Sequence, residues 1–124
     1  MPATAAKPTI KILYGECDEQ VLAAQAAEMK TAGHQVTTAV GRHAVQEALR
    51  RDAFDLVILG STLTKDDRHH LPYLVKKTRA GTKVLVMHAG THHYEVDATM
   101  DANASMQFVL EKIARLLAGQ AVSA

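Results

Sequence analysis

The stretch Phe54-Asp55-Leu56-Val57-Ile58-Leu59-Gly60-Ser61 decides the fold. It is a nearly continuous apolar run, too short for a helix and rich in branched side chains. Such a run, bounded by a charge and by Gly-Ser, predicts a strand covered on both faces, as in a parallel sheet. In open α/β sheets, ligands bind just beyond the carboxyl ends of such strands. Here that spot falls to Gly60, which brings no functional group.

Working outward, Thr9 to Gly15 reads as another strand and Gln35 to Val40 as a more polar one, suited to a sheet edge. Between them a helix should run from an Asp18 N-cap to about Ala32, with Val21, Leu22, Gln25, Met29 and Ala32 inward and Gly33 as its left-handed stop. A second helix is expected over Ala44 to Arg51. After Gly60, a polar loop from Ser61 to His70 should lead to a helix opened by Pro72 and closed at Ala80-Gly81. Lys83 to His88 reads as a fourth strand and Ala98-Thr99-Met100 as a short fifth. Ser105 should cap a last helix, with Met106, Val109, Leu110, Ile113, Leu116 and Leu117 on one stripe.

Strands alternating with helices predict a flavodoxin-like α/β fold: a doubly wound, five-stranded parallel sheet in the order 2-1-3-4-5. The 124 residues suit one domain, over 9–119, with a flexible leader (1–8) and a frayed tail (120–124). A net charge of +1 gives no reason to expect nucleic acid or an anionic membrane as partner. The one cysteine, Cys17, excludes an internal disulfide and fits a reducing, cytoplasmic setting. The opening residues have no apolar core of a signal peptide.

The chain resembles the receiver domains of bacterial two-component response regulators. The resemblance covers about Ile10 to Leu117 and rests on Lys11-Ile12-Leu13, on Ala32-Gly33-His34-Gln35-Val36-Thr37-Thr38-Ala39, on Asp55-Leu56-Val57-Ile58-Leu59, and on the spacing to Val84-Leu85-Val86-Met87. Receivers carry a phosphoryl group on an aspartate ending strand 3, with two acidic residues holding Mg²⁺, a Thr or Ser ending strand 4 and a Lys ending strand 5. Onto those places the resemblance puts Glu16, Cys17 and neighbouring Asp18 for the acidic pair, Gly60 followed by Ser61 for the aspartate, His88 for the Thr, and Asp101 or Ala102 for the Lys. Without the carboxylate at 60 no acyl phosphate forms, and without the Lys a developing phosphoryl charge lacks its cation. The resemblance therefore implies a pseudo-receiver that works without phosphorylation, as a protein–protein adaptor in bacterial signalling with no cofactor and no turnover. Its partner would be another signalling protein, with homodimerisation left open.

Between His88 and Ala98 the nine residues Ala89 to Asp97 fall short of the ~10–12 that a helical crossover needs. A loop is expected in place of the fourth helix. With the last helix it would make the partner face, including His92, His93, Tyr94, Lys112 and Arg115. Two other readings compete. His69, His70, His88, His92 and His93 could line a zinc or nickel site beside Glu16, Asp18, Asp66 and Asp67, although no His-Glu-x-x-His motif is present. Cys17 and His88 could form a nucleophile–base pair, but no third group orients them.

Overall fold

The computed structural model describes residues 10–87, 98–100 and 109–115. The elements are β1 (Lys11–Glu16), α1 (Glu19–Thr31), β2 (Gln35–Val40), α2 (Gly41–Arg51), β3 (Leu56–Leu59), α3 (Lys65–Thr78), β4 (Lys83–Met87) and β5 (Ala98–Met100). Residues 109–115 are helical as well. The strands pair in parallel in the order β2-β1-β3-β4, and the three residues of β5 extend the sheet beyond β4.

Alternation along the strands splits the interior in two. Ile12 and Tyr14 of β1, Leu56 and Ile58 of β3, and Leu85 and Met87 of β4 face one side, where Leu22, Ala26 and Met29 of α1 and Val109 and Ile113 pack. Leu13, Val57, Leu59, Val84 and Val86 face the other, against Val45 and Leu49 of α2 and Leu71 and Val75 of α3. Every residue of β3 is buried. At about 1.5–3 kcal/mol for each large side chain removed from water, this strand anchors both layers. β2 is the outer strand and is largely exposed, as its polar composition predicts.

The signals bounding α1 hold. Asp18 accepts hydrogen bonds from the N–H groups of Gln20 and Val21. At the other end Gly33, at φ +103°, lets its own N–H reach Lys30 and the His34 N–H reach Met29, closing a Schellman turn. On the buried face of α1, Ala26 joins Leu22 and Met29, while Val21, Gln25 and Ala32 are only half-buried.

Two helix starts differ from expectation. α2 begins at Gly41 rather than Ala44, because Gly41 at φ +84° lets the helix leave β2 at once. α3 begins at Lys65, seven residues before Pro72, and ends at Thr78. Its N-cap is Thr64, whose hydroxyl accepts from the Asp67 N–H at 3.1 Å, with Asp66 and Asp67 at the positive end of the helix dipole. Pro72 lies inside the helix, where its missing N–H leaves the Arg68 carbonyl without its usual donor.

No helix among the described residues is long and apolar enough to cross a membrane. The leader, the tail and the Ala89–Asp97 loop lie outside the described residues, as do Ser105, Met106, Leu116 and Leu117 of the expected last helix.

Candidate functional site

The site lies at the carboxyl end of β1 and β3, where the sheet order reverses and ligands of α/β folds bind. β3 hands over to Gly60, whose N–H donates to the Gly15 carbonyl at 2.8 Å, so the two strands stay locked to their ends. Residue 60 is buried, and its backbone avoids the left-handed region. What a side chain there would meet is the end of Glu16. A Cβ built on Gly60 would stand 1.8 Å from Glu16 Cδ and 2.0 and 2.1 Å from the two carboxylate oxygens. The end of the Glu16 side chain occupies the volume that a side chain at residue 60 would need.

Glu16 is only 1% exposed. Its Oε1 accepts from the Thr62 N–H at 2.9 Å and from the Thr62 hydroxyl at 2.6 Å. Its Oε2 accepts from the Tyr14 hydroxyl. Among the described residues no cation pairs with it, so three donors carry the whole cost of burying this carboxylate.

Thr62 acts as a clasp: its hydroxyl oxygen also accepts from the N–H groups of Cys17 and Asp18, at 2.8 and 3.0 Å. The β1–α1 and β3–α3 connections are thereby tied together through one side chain. Tyr14 is fully buried, and its hydroxyl lies 2.7 Å from the side-chain amide of Gln25. A phenol has one proton to give, and Glu16 Oε2 and Gln25 Oε1 both stand within its reach. Burial first, then the hydrogen bond to Glu16 and its nearby charge, push the Tyr14 phenol well above its ordinary range. It remains a donor.

Of the acidic set, then, Glu16 is inward and fully engaged, Asp18 is spent on capping α1, and Cys17 is exposed. Gly60 is covered, and Ser61 beside it is half-buried. His88 and Asp101 lie outside the described residues, as do His92, His93 and Tyr94 of the expected partner face. Lys112 is half-buried and Arg115 exposed on the helix 109–115.

The placement of His69 and His70 at the end of a loop is corrected. Both stand on α3 and are exposed, their rings edge to face with centroids 5.1 Å apart. The reason is the Thr64 cap, which starts the helix before them. Of the carboxylates expected beside them, Asp67 is buried, with Arg42 at 3.9 Å, Glu16 and Asp18 are engaged as above, and Asp66 is exposed in the first turn of α3. Among the described residues no group of three or more His, Cys, Asp or Glu side chains could hold a metal ion.

Tyr14 and Gln25 escaped the sequence reading as members of the site. A tyrosine in a buried strand facing a glutamine on a buried helix stripe was the available signal, because both polar ends must find partners inside.

No family model matches the chain, and no curated protein matches it. Solved structures do. The chain resembles a CheY-like response regulator receiver domain protein from Methanospirillum hungatei JF-1, with a TM-score of 0.80 at 18% identity over 94% of this chain and 100% of that one. It resembles the chemotaxis response regulator CheY4 of Vibrio cholerae at TM-score 0.76 and 14% identity, over 87% and 98% of the two chains. A third similar structure is the response regulator TrrA of Thermotoga maritima in complex with Mg²⁺ and BeF, at TM-score 0.73 and 17% identity, over 86% and 97%. The fold is that of response regulator receiver domains.

Proposed function

We propose that this domain is a phosphorylation-independent pseudo-receiver: a signalling adaptor of the cytoplasm that works by contact with another protein and turns over no substrate. The observation that carries this reading is the Glu16 carboxylate standing where a side chain at residue 60 would be. An acyl-phosphate mechanism needs an accessible carboxylate at the end of β3 and a cation-lined space above it. Here residue 60 has no side chain, and the space is filled from β1. The carboxylate that fills it is buried and already accepts three hydrogen bonds, which removes it as a nucleophile toward a phosphodonor. The same bonds hold the two loops of the site in one arrangement with no ligand required.

The test is exposure of the purified protein to Mg²⁺ with acetyl phosphate, and separately with beryllofluoride, read by intact mass and by thermal shift. The expected result is no phosphoryl adduct and no change in melting temperature. Binding of a ligand to the folded state at about 100 times its Kd would add ~2.7 kcal/mol, which such a scan detects easily. An adduct or a stabilising shift would sink the reading. The Gly60→Asp variant is expected to stay unphosphorylated, because its new side chain collides with Glu16.

A further inference from the structure

Charge is nearly balanced over the chain but not over the molecule. Parallel strands begin, and the intervening helices end, at one edge of the sheet. That edge collects Lys11, Arg50, Arg51, Lys76, Lys77, Arg79 and Lys83, against Glu47, Asp52 and Asp55. Glu28 and Lys30, near the end of α1, cancel. Among the described residues at the starts of β1 to β4 and the ends of α2 and α3, seven cationic groups against three carboxylates leave a surplus of four, while the whole chain carries +1. The rest of the sequence is therefore net negative by three.

The edge is knit tightly. Lys11 Nζ lies 2.5 Å from Asp52 Oδ2 and 5.7 Å from the centre of the Phe54 ring. The Lys11 ammonium holds the Asp52 carboxyl below its usual range. Asp55 accepts from the Lys11 backbone N–H, Arg50 pairs with Glu47, and Lys76 Nζ donates to the Thr82 carbonyl at the start of β4. Helix dipoles account for the bases ending α2 and α3. Arg51, Lys77 and Arg79 are exposed.

We infer that this amino-terminal edge of the sheet is a docking surface for an acidic segment of a partner protein, approached around Arg51, Lys77 and Arg79. The inference rests on the adaptor reading and supplies the chemistry of its partner. Charge complementarity sets the sign of that partner, and two features favour a polypeptide over a nucleic acid. The phenyl ring in the patch, Phe54, is 5% exposed and offers no stacking platform for a base. Asp52 and Asp55, both exposed, stand within the patch; a continuous phosphate backbone would run across them, whereas a peptide can place its carboxylates between them.

The probe is a short, fluorescein-labelled Glu/Asp-rich peptide, with a Gln/Asn peptide of equal length and a single-stranded oligonucleotide as comparators, followed by fluorescence anisotropy across a salt series. The acidic peptide is expected to bind, with affinity falling as salt rises. Lys77→Glu with Arg79→Glu should weaken it at least about tenfold. Lys65→Glu, at the opposite edge, should leave it unchanged. Circular dichroism confirms that the variants fold. Equal binding of the Gln/Asn peptide, indifference to the paired charge reversal, or tighter binding of the oligonucleotide each overturns the inference. Adding acetyl phosphate separates the two claims. A phosphodonor-dependent affinity sinks the phosphorylation-independent reading and leaves the surface standing; absence of binding sinks the surface and leaves the closed pocket untouched.

Discussion

Glu16 shows what one residue can do when its neighbours are chosen around it. A carboxylate this deeply buried survives only if its oxygens are satisfied, and Tyr14 and Thr62 satisfy them. The acidic character of position 16 was legible in the sequence, as was the missing carboxylate at 60. That the first fills the void of the second was not, because it depends on two strand ends meeting across 44 positions of chain. Tyr14 carries a prediction of its own. Its ordinary value is 10.0, and in the folded protein its pKa lies above that. Above pH 10 or so the unfolded chain releases this proton and the folded protein keeps it. Stability then falls by about 1.4 kcal/mol per pH unit on the alkaline side, while below pH 10 the contribution is fully present. Tyr14→Phe should cost about 1–2 kcal/mol at neutral pH through the lost hydrogen bond, and it should flatten that alkaline limb. Urea unfolding at a series of pH values reads both. A Tyr14→Phe protein that loses stability in alkali as steeply as the parent would place the phenol in water.

Elements were legible where their ends are marked locally. β3 announced itself by an unbroken apolar run, and α1 by Asp18 before it and Gly33 after it. α3 was misjudged because two local signals conflict. Pro72 marks a first helical turn in many proteins, yet Thr64 followed by Asp66 and Asp67 is the stronger start, and the helix runs through the proline. This misjudgement placed His69 and His70 on a loop, whereas the Thr64 cap puts both on a helix, away from the loop rim expected of them. Thr64→Ala is therefore expected to destabilise the fold by about 1 kcal/mol, whereas Thr64→Ser should avoid most of that loss. The measurement is the urea midpoint. No effect from Thr64→Ala would mean that the helix gains nothing from this cap and that the start read at Pro72 deserves restoring.

At the scale of the molecule, both the doubly wound sheet and the receiver likeness were readable from the cadence of strands and helices, and the solved structures agree with the fold. The segregation of charge was not readable from the sum, since a net charge of +1 says nothing of which sheet edge each base reaches. Global stability is also where the central claim meets its most direct trial: that Glu16 holds the space of residue 60. The measurement is a double-mutant cycle of Glu16→Ala and Gly60→Ala by chemical denaturation. Glu16→Ala strands the Tyr14 and Thr62 donors, and Gly60→Ala displaces the Glu16 carboxylate from them; each should cost about 2–3 kcal/mol. In the double variant the new methyl group has nothing left to displace, so the pair should cost no more than the worse single, a coupling of about 2–3 kcal/mol. Additive losses would mean that the two positions do not compete for one space, and the closed-pocket account would fail.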